Sequence, residues 1–191
     1  MPKIVDHDAR RRELAEAVWR VIARDGVDAV SVRVVAAESG WSTGALRYYF
    51  TTRAELLAFA CEQVIDRVSE RIARITPTED ARAWARAALS ETMPLDPRRH
   101  TEATIAFSFV ALGLSDPELA RVQRRHFRSM RELCERAVAA LESRPSPAAA
   151  RTRRAAHLHA VVDGLALQGL AGFLTPEQMS AGLDACLDET N

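Results

Sequence analysis

The chain has 191 residues, of which 48% are hydrophobic and 27% charged, so it can build a globular core without disulfides or metals. Its 26 basic and 26 acidic residues cancel to a formal net charge of zero, which excludes a protein that binds nucleic acid through bulk basicity. The three cysteines are widely spaced and lack zinc-ligand spacing, so they predict small buried residues and no metal site.

Apolar residues recur at helical spacing through most of the chain, and no alternating strand pattern persists. The first predicted helix carries one apolar stripe, made by Leu14, Val18, Val21 and Ile22. It ends at Asp25-Gly26, where the glycine can form a C-cap.

Two short helices follow, each introduced by a serine. Ser31 caps a predicted helix from Val32 to Ser39 that Gly40 closes, and Ser42 caps another from Thr43 to about Tyr49. Residues 31–53 therefore predict a helix-turn-helix.

The remaining helices are predicted from their start signals. Thr52-Arg53-Ala54-Glu55 forms a capping box before a helix that reaches about Ile75. Five further starts place a capping residue before a proline: Thr76-Pro77, Asp96-Pro97, Asp116-Pro117, Ser146-Pro147 and Thr175-Pro176. We expect an all-α fold of about nine helices, with a three-helix domain over residues 1–53 and a larger helical domain over residues 54–191.

The short third helix has the composition of a helix that enters the major groove. Its small first residues allow close approach to DNA, Gly44 removes a side chain there, and Arg47 can reach a guanine edge or a phosphate. The residues expected to bury where the two short helices cross are Val34, Val35, Ala37 and Leu46.

The surrounding residues suit phosphate contact. Helix N-termini near Ser31, Ser42 and Thr52 offer free amide hydrogens, and the hydroxyls of Tyr48 and Tyr49 can donate. Arg33, Arg47 and Arg53 against Glu38 give this segment a local charge of +2, and Arg10-Arg11-Arg12 can add a backbone contact. Helical spacing alone is equally consistent with an amphipathic helix pair that has no role in DNA binding.

Residues 10–60 resemble the DNA-binding domain of TetR-family regulators. The family pattern is Gly-Val-Ser-x-Gly-x-Leu-Tyr-x-Tyr/His-Phe-x-x-Lys-x-x-Leu, and residues 40–56 read Gly-Trp-Ser-Thr-Gly-Ala-Leu-Arg-Tyr-Tyr-Phe-Thr-Thr-Arg-Ala-Glu-Leu. This chain departs from the pattern at Trp41, which can pack on the first helix or lie on a phosphate, at Arg47 and at Arg53. Residues 46–50 and 162–168 resemble the branch that includes betaine-pathway repressors.

The resemblance implies a DNA-binding transcriptional regulator, most often a repressor. The predicted DNA-binding residues are Ser31, Arg33, Trp41, Ser42, Thr43, Gly44, Ala45, Arg47, Tyr48, Tyr49 and Arg53. The expected partner is a palindromic double-stranded operator, with no cofactor.

The resemblance also implies that the larger domain binds a ligand and forms a homodimer. The helix over about residues 147–174 is apolar around most of its circumference and can pair with the last helix in a four-helix interface. The predicted interface residues are Leu158, Val162, Leu165, Leu170, Phe173, Leu183 and Leu187. A central core helix in a monomer is the alternative.

Aromatic and methionine residues in the middle helices are candidates for binding an unknown small-molecule effector. They are Trp84, Met93, Phe107, Phe109, Phe127 and Met130, for which plain core packing is the alternative. His159 and Asp163 sit four residues apart and predict a hydrogen-bonded pair. The arginines of residues 121–131 predict a solvated helix face, with an anionic partner or a second DNA contact as the alternative.

An enzyme is not expected, because the chain has no GxSxG, HExxH, Walker or dinucleotide motif. A helical protein-interaction module, or an activator without an effector, is the alternative to a ligand-released repressor.

Residues 1–6 have no apolar signal-peptide core, and the apolar stretch over residues 158–174 contains His159, Asp163 and Gln168. We therefore expect a cytoplasmic protein with no membrane partner.

Overall fold

The computed structural model describes residues 7–114, 116–144 and 146–190, and this part of the chain forms nine α-helices and no strand. The all-α prediction is confirmed. The helices are α1 His7–Asp25, α2 Val32–Ser39, α3 Thr43–Tyr49, α4 Arg53–Ala73, α5 Ala81–Ser90, α6 Pro97–Leu112, α7 Pro117–Leu141, α8 Ala148–Leu170 and α9 Pro176–Thr190. A single 3₁₀ turn at Val27–Ala29 links α1 to α2. Residues 1–6, which carry the expectation of no signal peptide, lie outside the described part.

Side-chain caps fix the starts of the first short helices as predicted. The Oγ atoms of Ser31 and Ser42 accept hydrogen bonds from Val34 N at 3.2 Å and from Ala45 N at 3.1 Å. The capping box at α4 is reciprocal, because Glu55 N donates to Thr52 Oγ1 at 3.0 Å and Thr52 N donates to Glu55 Oε2 at 3.3 Å.

Three of the five proline starts are confirmed, at Pro97, Pro117 and Pro176. The start at Thr76-Pro77 was wrong: α5 begins at Ala81, where Asp80 accepts a hydrogen bond from Ala83 N. The cap at Ser146 was also wrong, since its hydroxyl bonds to the carboxylate of Glu142 and α8 begins at Ala148.

The chain divides into two compact units. The first runs to Asp66 and includes Ser108–Gln123, and the second comprises Arg67–Phe107 and the chain from Arg124 onward. The predicted boundary after residue 53 is a division by function and stays a prediction.

The core of the first unit is built on α1. Its predicted stripe is almost fully buried, and Trp19 Nε1 donates to the carbonyl of Ala60 at 3.1 Å, which ties α1 to α4. Burying each large apolar side chain stabilises the fold by roughly 1.5–3 kcal/mol. This unit therefore gives α2 and α3 a fixed base.

The second unit packs α8 and α9 closely around a shared core. An ideal Cβ at Gly182 would lie 2.7 Å from Leu165 Cδ2, and one at Gly169 would overlap the Met179 side chain. These two glycines leave room for the side chains of Leu165 and Met179 between α8 and α9. All three cysteines are buried in the described structure, and burial raises the pKa of the Cys134 thiol to about 12.

A largely buried carboxylate anchors the segment between α7 and α8. Glu142 is 4% exposed and accepts hydrogen bonds from Arg151 at 2.7 Å and from Arg154 and Ser146. Hydrogen bonds from Arg151 and Ser146 hold the pKa of Glu142 at about 2.

This low pKa predicts an acid-dependent contribution to stability. The folded-state pKa lies below the unfolded value of about 4.3, so the contribution is complete above that value and is lost as pH falls toward 2. We expect Glu142→Gln to lower the melting temperature at pH 7, by a difference from wild type that shrinks below about pH 4.5.

The matched control is Glu70→Gln, because Glu70 is exposed and its ion pair among the described residues is with Arg74, at 3.4 Å, just past the end of α4. Thermal melts from pH 7 to pH 3 check the prediction. A difference that stays constant over this range would contradict it.

Candidate nucleic-acid interface

A left-handed glycine makes the turn between α2 and α3. Gly40 has φ 72° and ψ 12°, a conformation that costs other residues roughly 1–2 kcal/mol. Leu46 is fully buried, and Val35 and Ala36 of α2 are buried with it in the core of this unit. The prediction of Ala37 at the crossing was wrong by one position, because Ala37 is exposed and Ala36 takes the buried place.

The rest of α3 faces outward. Leu46 is the buried residue of this seven-residue helix. The exposed residues are Thr43, Gly44, Ala45, Arg47, Tyr48 and Tyr49. The first three carry little or no side chain, so the start of α3 can approach another surface closely.

The arginines near α3 differ in their partners. Arg33 and Arg47 are exposed, and within the described residues neither makes an ion pair or a hydrogen bond. Arg53 instead donates to the carbonyl of Val30 at 3.0 Å and to that of Val27 at 2.7 Å. Arg53 therefore holds the loop before α2, a role that its place in the family pattern did not reveal.

Trp41 lies in the turn and packs on α1. The guanidinium carbon of Arg10 is 5.7 Å from the centroid of the Trp41 ring. The Trp41 ring meets Tyr49 edge-to-face at 5.8 Å, and Tyr49 meets Tyr48 at 5.2 Å. Of the two alternatives for Trp41, packing on the first helix is the one seen in the free chain.

The acidic residue of this segment is neutralised from α1. Glu38 accepts from Arg20 Nε at 2.7 Å and from Arg24 Nη1 at 2.9 Å, and these hydrogen bonds lower the pKa of Glu38. Sequence reasoning missed both arginines, although their spacing of four residues on one helix face was the available signal. The contact links α2 to α1 at the surface and compensates the negative charge of Glu38.

The predicted effector-binding residues do not all lie in one unit. Phe109 is buried in the first unit, and the other five belong to the second. Met93 and Met130 are part of the buried core there, and Trp84 packs against that core half-buried. Phe127 is partly exposed, and its ring lies 6.0 Å from His159.

His159 Nε2 lies 3.2 Å from Asp163 Oδ2, but the geometry does not make a hydrogen bond, so the prediction of a hydrogen-bonded pair was wrong. Burial lowers the pKa of the neighbouring His126.

On the arginine face of α7, Arg121 pairs with Glu62 at 2.9 Å, while Arg124 and Arg128 are exposed.

Part of the predicted dimer interface lies in the core of the protomer. Four of its residues are fully buried: Leu158, Val162, Leu183 and Leu187. Their cover comes from within the chain, and the dimer interface itself stays a prediction. Leu165 and Leu170 are half-buried, and Phe173 is 76% exposed.

The described residues contain no group of three His, Cys, Asp or Glu side chains able to hold a metal ion. No helix in the described ranges is long and apolar enough to span a membrane.

Comparison with known proteins identifies the family. Residues 14–59 match the family described as bacterial regulatory proteins, tetR family, and residues 81–190 match BetI-type transcriptional repressor, C-terminal. The chain belongs to the TetR family of transcriptional regulators. The resemblance inferred from residues 10–60 is thereby confirmed, as is the branch indicated by the later segment.

Individual relatives agree over most of the chain. The HTH-type transcriptional regulator PksA of Bacillus subtilis is 36% identical over 89% of this chain and 83% of its own length. A BetI regulator of Stenotrophomonas maltophilia is 30% identical over 88% of this chain and 85% of its own. A transcriptional regulator from Rhodococcus sp. RHA1 superposes with a TM-score of 0.84 at 30% identity, covering 94% of this chain and 95% of its own.

The expectation of a regulator rather than an enzyme agrees with these names, since the matched relatives are transcriptional regulators. Regulators of this family bind DNA, form dimers and bind small-molecule effectors.

The two glycines of the helix-turn-helix predict opposite responses to alanine. Gly40→Ala should lower the free energy of unfolding by about 1 kcal/mol, because Gly40 is left-handed. Gly44→Ala should leave it unchanged or raise it by at most about 1 kcal/mol, because Gly44 is helical with no atom within 4 Å of an added Cβ. Urea unfolding of both variants is the measurement, and equal effects would contradict this reading of the turn.

Proposed function

We propose that the chain is a homodimeric repressor that holds a palindromic operator and releases it when a small molecule binds. The observation that carries this proposal is the outward surface of α3. A single buried leucine fixes the helix, and its small first residues and Arg47 face outward. That is what a helix needs in order to enter a major groove.

The proposed contacts divide by role. Arg47 reads a base edge, with Thr43 and Ala45 against the groove. Phosphates are held by Arg33, by the tyrosine hydroxyls and by the helix starts at Ser31 and Ser42. Tyr48 is 84% exposed, so its hydroxyl is open to such a contact.

A second copy of the chain is the proposed occupant of the exposed face of α8. Leu167 of α8 is 54% exposed, Phe173 in the loop after α8 is 76% exposed, and Leu170 at the end of the helix is half-buried. Pairing through this face brings two recognition helices to one operator. Two are needed because one short helix reads too few bases for useful specificity.

The effector is proposed to bind in the helical domain near the aromatic residues of the middle helices. Binding would move the two recognition helices away from the spacing of about 34–36 Å that one turn of DNA requires. As a protein that acts on chromosomal DNA, the chain is proposed to work in the cytoplasm.

Arg47→Ala tests the reading of bases. After an operator is selected from random duplexes, this variant should bind it more weakly by roughly 1–3 kcal/mol and discriminate less at one base position. Arg74→Ala is the matched control, because Arg74 is an exposed arginine of the second unit. Fluorescence anisotropy on the operator and its point variants is the measurement.

Unchanged operator affinity in Arg47→Ala would remove this residue from the base-reading set. A selection that returns no enriched palindrome from the wild-type chain would overturn the proposed function itself.

Leu167→Glu tests the dimer. A glutamate at this position would place an unpaired charge in the proposed interface of both protomers, so the dimer dissociation constant should rise on the order of 30-fold or more. Leu114→Glu is the control, since Leu114 is 82% exposed and lies outside the proposed face. Sedimentation velocity over a concentration series measures the effect, and a Leu167→Glu chain that remains dimeric would place the interface elsewhere.

A further inference from the structure

A cation and three aromatic rings form a continuous row beside the recognition helix. The row runs from Arg10 of α1 to Trp41 in the turn, then to Tyr49 and Tyr48 of α3. These residues also line one surface concavity together with Ala45. The row therefore lies on the side of the first unit to which α3 presents its exposed start.

We infer that Trp41 is a positioning residue that holds the Arg10 guanidinium against a DNA phosphate at the edge of the groove read by α3. This inference rests on the proposed function, because it assigns a contact within the same DNA complex.

The contact between the Arg10 guanidinium and the Trp41 ring suits this role. A guanidinium that lies over an aromatic face keeps its N–H edge open for a phosphate, which it can bind in bidentate fashion. Arg10 is exposed, and among the described residues its guanidinium makes no ion pair. Glu13 also lines the concavity, and it makes no ion pair with Arg10.

The edge-to-face contacts hold the ring that carries Arg10. Trp41 meets Tyr49 at 5.8 Å with ring planes 68° apart, and the half-buried Trp41 ring is thus held between α1 and α3. A long arginine side chain held in this way loses less conformational freedom when it binds.

A phosphate contact and a base contact change DNA binding in different ways, so a binding measurement can distinguish them. A phosphate contact strengthens binding to every sequence and adds to the salt dependence, with a slope of about 0.9 for each phosphate neutralised. Trp41 therefore contributes to affinity through Arg10, and base preference belongs to α3.

The test measures binding of the intact chain to its selected operator and to a random duplex from 50 to 300 mM salt. Arg10→Ala should reduce the salt slope by about 1.8 for the dimer and weaken both duplexes alike. Trp41→Leu should produce part or all of the same change, and no further change when Arg10→Ala is already present. Trp41→Phe should restore most of the slope because it keeps a ring face.

Arg12→Ala is the matched control, since it removes an exposed arginine of the same helix that lies over no aromatic ring of the described residues. Trp41→Leu should keep its full effect in that background. Circular dichroism melts verify that each variant is folded.

Three results would overturn the inference: a wild-type salt slope in Trp41→Leu, additive effects of Trp41→Leu and Arg10→Ala, or a Trp41→Phe variant no better than Trp41→Leu. A change in operator preference without a change in slope would also overturn it. Failure of the wild-type chain to prefer any sequence would instead count against the proposed function.

Discussion

Burial of one leucine makes the recognition helix possible. Seven residues are too few for an isolated helix to be stable in water, so α3 depends on tertiary contacts. Leu46 supplies its fully buried contact, and the Ser42 cap satisfies an amide hydrogen at its start. Because the anchor is a single side chain, the remaining surface of α3 is free for another partner.

The base beneath that anchor is the buried core built on α1, and arginines add contacts at its edge. Arg20 and Arg24 hold Glu38 of α2, while Arg53 holds the carbonyls of the loop before it. Arg33 and Arg47 remain exposed. A chain of zero net charge thus pairs some arginines with acceptors of its own and leaves others exposed, a distinction that a count of charges cannot make.

The helix boundaries that were predicted correctly depend on signals within a few residues of each boundary. Ser31, Gly40 and Ser42 act within three residues of their own positions, so the chain alone shows where α2 and α3 begin and end. The start of α5 was missed because Thr76-Pro77 and Asp80 offer equivalent caps four residues apart, and tertiary packing decides between them. Ala36 and Ala37 are chemically identical neighbours, so residue type cannot tell which of them faces the core.

The sequence also could not show which helices pack on each other, because these contacts join residues that are far apart in the chain. Apolar periodicity shows that Leu158, Val162, Leu183 and Leu187 are covered, but the pattern is identical whether the cover comes from one chain or from two. The structure shows that α8 and α9 cover each other, with Gly182 against Leu165 at a distance no larger residue would allow without rearrangement. This packing leaves Leu167 and Phe173 exposed. Contacts between α8 and α9 thus decide which apolar side chains near the end of α8 stay uncovered, and the periodicity of one helix cannot show them.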